Sequence, residues 1–162
     1  MAESDVPPNT PYTADLGDRE PLEALGDTPG RIRDLVGSWS TEQFERSYAP
    51  GKWSARQVLI HLAQTELALG ARARFALSQQ GYTAQPFSQD DWIGIDGPAD
   101  ALTALDVYTT LRSLNVVMFA ALTPEQRMRS FAHPEYGTVT IWWIAAQMAG
   151  HDIHHLKQLE SI

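Results

Sequence analysis

From Thr138 to Glu160 the chain reads T-V-T-I-W-W-I-A-A-Q-M-A-G-H-D-I-H-H-L-K-Q-L-E. Its opening seven residues are β-branched or aromatic, and alone they would suit a strand. They run without a break into sequence of helical period, so the stretch is predicted to be one helix starting near Thr138. His151 is set at 0° and each residue advances about 100°. Ile144, Met148, His155 and Leu159 then gather beside His151, and Trp142, Ala145, Ala149, Ile153 and Leu156 form the adjoining apolar sector. Gln147, Gly150, His154, Lys157 and Gln158 make the polar side. His151 and His155 therefore point inward one turn apart, a spacing at which two imidazoles can share an ion. Asp152 lies about 100° from His151, which makes it a poor ligand candidate.

Three further long helices are expected upstream. Leu22, Leu25, Ile32, Leu35 and Val36 share one face, with a break or kink predicted at residues 27–29, where Pro29 interrupts. A short turn is expected after Ser40 or Thr41. Ser54 caps a long helix from Ala55 to about Ser78, ended by Gly81. A third helix spans about Ala99 to Leu122, with Leu102, Leu105, Leu111, Leu114, Val117, Met118 and Leu122 as its apolar stripe. Thr123-Pro124-Glu125-Gln126 reads as a capping box opening a short helix. No strand is predicted. Residues 1–18, with Pro7, Pro8 and Pro11, read as an extended arm, and residues 19–162 as a single all-α four-helix-bundle domain. The long connection at residues 81–98 serves as a crossover between the second and third helices.

The 162 residues carry 12 Lys+Arg against 20 Asp+Glu, a net charge of −8. That balance argues against nucleic acid and anionic membrane surfaces as partners. With no cysteine, disulfides, thiolate catalysis, Cys-ligated zinc and iron–sulfur clusters are excluded. The first residues lack the basic and apolar regions of a signal peptide, and no run reaches membrane-spanning length, so a cytoplasmic location is expected.

His61 sits in V-L-I-H-L on the second long helix and shares a face with Thr65 and Arg72. In a bundle it can meet His151 and His155 across the core and leave open metal positions. The plain alternative is a set of polar core histidines with no metal. The spacing lacks the glutamate of an H-E-x-x-H site.

Three segments together carry a family resemblance. W-S-A-R-Q-V-L-I-H-L-A-Q-T-E (Trp53 to Glu66), H-P-E-Y-G-T-V-T-I (His133 to Ile141) and G-H-D-I-H-H-L-K-Q-L (Gly150 to Leu159) resemble, in order, parts of the DinB/YfiT-like superfamily. The resemblance implies a four-helix bundle of up-down-down-up order. It also implies a divalent metal, nickel or zinc, on His61, His151 and His155, and a homodimer. Members include S-transferases and isomerases that use bacillithiol or mycothiol, and many labelled only as metal-dependent hydrolases. The expected function is thus a metal-dependent S-transferase or hydrolase acting on a small molecule, with a low-molecular-weight thiol as one substrate. The alternative is a non-enzymatic ligand-binding or stress-related module with a structural metal. Gln64 stands where the family often has Asp, which puts the orientation of a ligand in question. Arg72 matches a frequent family arginine. It reads first as a solvated rim residue and second as a partner for an anionic substrate group. Thr65 is a pocket candidate. His133 reads as a turn residue or a lining of the site mouth. Trp92 reads as a loop anchor or a lid. Of Trp142 and Trp143, one is expected in the core and the other at an interface.

Overall fold

The structure, a computed structural model, describes residues 7–162. Its helices are α1 (Pro11–Leu16), α2 (Pro21–Val36), α3 (Thr41–Phe44), α4 (Ala55–Ser78), α5 (Gln89–Asp96), α6 (Ala101–Ala121), α7 (Pro124–Met128) and α8 (Ile141–Glu160). A hairpin of β1 (Ser130–His133) and β2 (Gly137–Thr140) precedes α8. The long helices α2, α4, α6 and α8 form the bundle. Leu25 meets Arg112 while Arg33 reaches Asp106, so α2 and α6 are antiparallel. Arg56 bonds Ala99 O, Glu66 meets Arg112 and Arg74 meets Asn115, so α4 and α6 are parallel. His61 faces His151, and Leu69 and Ile144 line one cleft, so α8 runs against α4. The order is up-down-down-up, and the crossover between α4 and α6 holds α5.

Side-chain caps set the boundaries. Ser54 and Gln57 form a capping box at α4, as do Thr123 and Gln126 at α7. Both satisfy backbone N–H groups that the first turn leaves unpaired. Pro29 does not break α2. A proline has no N–H to give the carbonyl four residues before it. Here that carbonyl belongs to Leu25, and it accepts a bond from Arg112 Nη1 at 3.1 Å. The freed acceptor is satisfied from a neighbouring helix, so α2 continues.

Three further expectations are corrected. Residues 138–140 form a strand, with Phe131 opposite Val139 in the hairpin. Thr140 then caps α8, its hydroxyl accepting from Trp143 N. A four-residue strand has no period to read, and its partner lies across a tight turn. Within the stretch expected to be an extended arm, residues 11–16 form α1. Lastly, Leu102, Leu114 and Val117 lie on an exposed face of α6, not in the core. Tyr108, Arg112 and Asn115 are turned inward instead.

Two apolar clusters make the core. Leu25, Phe119, Ile144 and Met148 belong to one; Ile32, Leu59, Leu62, Leu105, Leu156 and Leu159 to the other. A buried polar set also ties the bundle. Arg112 on α6 pairs with Glu66 on α4, and its Nη1 lies 2.6 Å from Asp152 Oδ2 on α8. Tyr108 OH donates to the same Asp152 oxygen at 2.6 Å, and Asn115 Nδ2 to Glu66 Oε2 at 2.9 Å. With the bond to Leu25, Arg112 contacts all three other long helices.

Helix α1 lies across α8. Thr10 Oγ1 donates to Gln147 Oε1 at 2.8 Å, and Trp143 Nε1 donates to Pro8 O at 3.0 Å. Gln147 and Gly150, assigned to a polar face from the sequence, are buried beneath it. A Cβ on Gly150 would lie 1.7 Å from Tyr12 O. Since the obstacle is backbone, α1 must move to admit a methyl group. Gly150→Ala is expected to cost about 1–3 kcal/mol by overpacking and to make residues 10–20 cleavable in limited proteolysis. An unchanged melting temperature and cleavage pattern would show that α1 does not pack there.

Candidate metal centre

Helices α4 and α8 bring together the three histidines that the sequence singled out. His61 Nε2 lies 2.8 Å from His151 Nε2, which lies 3.1 Å from His155 Nε2. All three side chains are buried. His151 and His155 share a face because they are one turn apart on α8. His61 reaches them because α4 runs antiparallel alongside. Two nitrogens each about 2.0–2.1 Å from one ion, at tetrahedral to right angles, would be about 2.8–3.4 Å apart. The observed spacings are close to that range.

Burial removes water from these rings and disfavours their charged forms. It pulls His61 down to about 3, with His155 adding to the effect, and His155 down to about 4. His151 is driven well below the ordinary imidazole value, again chiefly by burial. The rings are therefore neutral at pH 7, the form that ligates a metal. His155 Nδ1 donates to Gln158 Oε1 at 2.7 Å, which turns the Nε2 lone pair toward the cluster. His61 Nδ1 and His151 Nδ1 are buried without a partner among the described residues, so no acceptor there fixes the tautomers of those two rings. Three lone pairs cannot converge without a proton or a cation between them. The donor set thus suits a divalent ion, with three imidazoles leaving open positions. The rings of Trp53 and Tyr12, each with its centroid 4.9 Å from His61 and His151 respectively, shield the cluster.

A stability prediction follows. In the unfolded chain these histidines titrate near 6.5. Between that value and their lower folded values the unfolded chain binds more protons, so stability falls as pH falls. Metal-free protein is expected to keep its full stability above about pH 6.5 and to lose it steadily toward pH 4. Urea unfolding of chelator-treated protein between pH 7.5 and 4 reads this directly. A midpoint that stays flat from pH 7 to 5 would mean that the rings are not buried as described.

A cleft of about 480 Å³ opens beside His61 and His151. Thr65, Arg72 and His133 line it, together with Tyr12, Tyr136 and Gln147. Gln64 and Trp92 are placed elsewhere. Gln64 Nε2 donates to Trp92 O and to Asp96 Oδ2, both at 2.7 Å, which ties it to α5 of the crossover. Trp92 packs on Phe87, with ring centroids 4.6 Å apart, and anchors the crossover. Trp143 is buried, while Trp142 is half-buried under the Arg127 guanidinium, 4.0 Å from its ring centroid. His154 lies outside the cluster and bonds Asp15 at 2.9 Å. Sequence reasoning missed Tyr12 and Gln147 as lining residues, because only the docking of α1 and the hairpin encloses the cleft.

The same architecture occurs in known proteins. YfiT from Bacillus subtilis, described as having an unusual four-helix bundle topology, superposes with a TM-score of 0.81 at 20% identity, over 99% of this chain and 90% of that one. A mycothiol-dependent maleylpyruvate isomerase superposes with a TM-score of 0.73 at 13% identity, over 91% of this chain and 62% of that one. Two Oceanobacillus iheyensis proteins, each named "putative metal-dependent hydrolase", are 26% and 28% identical over 142 and 140 residues. The alignments span 87% and 86% of this chain and 83% and 81% of the relatives. A sequence profile of the DinB superfamily matches residues 24–159, from the second turn of α2 to the end of α8, and the chain belongs to that superfamily.

Proposed function

We propose that this protein is a metal-dependent enzyme in which His61, His151 and His155 hold a divalent ion, zinc or nickel, and a low-molecular-weight thiol is one substrate. The convergence of three neutral Nε2 atoms, those of His61 and His151 beside a cleft and that of His155 behind them, carries this reading. Such an ion, when bound, supplies Lewis acidity that lowers the pKa of a coordinated thiol or water.

The residues of the chain favour the thiol over water. Glu66 and Asp152 are locked in the buried pairs with Arg112, and Glu135 is exposed at the rim. Among the described residues the carboxylate nearest the imidazoles, Asp152, has its Oδ1 4.0 Å from His151 Nδ1 rather than at the clustered Nε2 atoms, and its Oδ2 is taken by Arg112 and Tyr108, so it is not placed as a general base. A thiol, which ionises near pH 8.5 in solution, needs less help than water. Tyr12 and Tyr136 remain protonated, burial being the first cause of the upward shift in each. Their hydroxyls can hold or deliver a proton within the cleft. The hydrolytic reading stands second, favoured by the names of the O. iheyensis relatives. The exposed apolar face of α6, with Leu102, Leu114 and Val117, supports self-association.

Zinc- or nickel-loaded protein incubated with bacillithiol or mycothiol and a chloroalkyl fluorophore tests the proposal. Thiol-dependent adduct formation that disappears with the metal is expected. Ester hydrolysis at equal rate with and without thiol would overturn the transferase reading in favour of the hydrolase.

A further inference from the structure

The cleft has a second end. Along α4 its wall is the row His61, Thr65, Leu69, Arg72, one ridge of the helix. Opposite it on α8 stand His151, Gln147 and Ile144. His61 and His151 occupy one end, and Arg72 with His133 of the hairpin the other.

Arg72 is the only Lys or Arg lining this cleft, and it makes no ion pair among the described residues. Its Nη2 donates to Gln85 O at 3.0 Å, while Nη1 lies 3.2 Å from His133 Nε2. His133 Nδ1 accepts from two backbone groups, Glu135 N at 3.2 Å and Tyr136 N at 3.3 Å. In a neutral imidazole that accepts at Nδ1, the proton sits on Nε2. His133 Nε2–H and the Arg72 guanidinium are then both donors, side by side, with no acceptor between them. A carboxylate satisfies both.

The middle of the cleft also offers unmatched polar groups. Thr65 is 4% exposed and Gln147 6% exposed. Thr65 Oγ1 and Gln147 Nε2 are both buried without a partner among the described residues. Gln147 is held in orientation by Thr10, which bonds its Oε1, so its amide N–H groups stay available. Buried donors without acceptors are costly unless something supplies them.

We propose that Arg72 and His133 hold the carboxylate of an elongated substrate whose reacting end lies at the three imidazoles, with Gln147 and Thr65 bonding its middle. The substrate class is a linear acid with a hydrogen-bond acceptor, such as an amide carbonyl, between its two ends. Arg72 is eleven residues from His61, about 16 Å along the helix axis. Because the long Arg72 side chain leans back toward the helix N-terminus, the ligand's span is roughly 10–16 Å. Glu135 at the rim discourages a second negative charge there. This assignment rests on reading the cleft as the substrate site of a metal centre.

Calorimetric titration of zinc-loaded protein tests it with 8-mercaptooctanoate, the neutral 8-mercaptooctanol and the short 3-mercaptopropionate. The long acid is expected to bind at least about tenfold tighter than the alcohol, as one charge-assisted pair would give. The short acid should show no comparable gain over its own alcohol. Arg72→Gln should abolish the preference and His133→Phe should reduce it, with zinc content and helical signal unchanged in both. Should Arg72→Gln fail to fold, Arg72→Lys and His133→Phe carry the test. Equal binding of long acid and alcohol to wild type, or a preference that survives Arg72→Gln, overturns the proposal. Octanoate against octanol on chelator-treated protein reads the carboxylate end alone. An Arg72-dependent preference there stands even if the three imidazoles prove to hold no metal. Its absence there sinks the carboxylate site and leaves the metal centre untouched.

Discussion

Replacing Arg112 with methionine is expected to lower the unfolding free energy at pH 7.5 by about 3–5 kcal/mol, the usual cost of stranding buried charge. Arg112 is 2% exposed, and its partners Glu66 and Asp152 are each 1% exposed. Burial works against the guanidinium's charge, but Asp152, Tyr108 and Glu66 outweigh it and hold Arg112 firmly protonated. Remove it, and two carboxylates face each other in a medium that solvates neither. The Leu25 carbonyl freed by Pro29 also loses its donor. Glu66 is already pushed up by burial, with Arg112 opposing; without Arg112 it rises further. The destabilisation should therefore be largest at high pH and shrink as Glu66 takes up a proton. Urea unfolding at pH 7.5 and 5.5 reads both. A loss under about 1 kcal/mol at pH 7.5 would mean that the buried pairs do not form, since that is the scale of exposed pairs.

The clustering of the three histidines was legible, the α8 pair from its local spacing and His61 through the family resemblance. His151 and His155 stand one turn apart on an apolar face, and His61 sits in an apolar run. The Arg112 network was not legible, because Glu66, Arg112 and Asp152 are single charged residues on three different helices. A wheel places each on a face but names no partner. Arg112, Tyr108 and Asn115 also displaced the expected stripe of α6, a helix so apolar that Leu114 and Val117 are left exposed. Pro29 misled for the same reason, since the donor that rescues α2 lies 87 residues away along the chain. The cleft depends on α1 and the β1–β2 hairpin, both too short to show a period.

The second large effect concerns the metal. Among the described residues His61 is the one imidazole that α4 adds to the cluster, so on the proposed reading His61→Ala leaves two imidazoles on one helix turn and no third donor to close the site. Metal content is expected to fall from about one equivalent to below about 0.1, because a two-histidine site binds far more weakly than three preorganised donors. The fold should survive, since α4 keeps its capping box and apolar face. The helical signal of the variant should match that of chelator-treated wild type. His154→Ala is the control: its ring bonds Asp15 outside the cluster and its loss should leave the metal in place.

Metal analysis of protein purified without a histidine tag or added nickel, comparing wild type with His61→Ala and His154→Ala, puts the three-imidazole centre to the most direct test. The structure leads us to expect near-stoichiometric divalent metal in wild type and His154→Ala and almost none in His61→Ala. Full metal retention by the folded His61→Ala protein, or no divalent metal bound by wild type even after exposure to zinc and nickel, would contradict it.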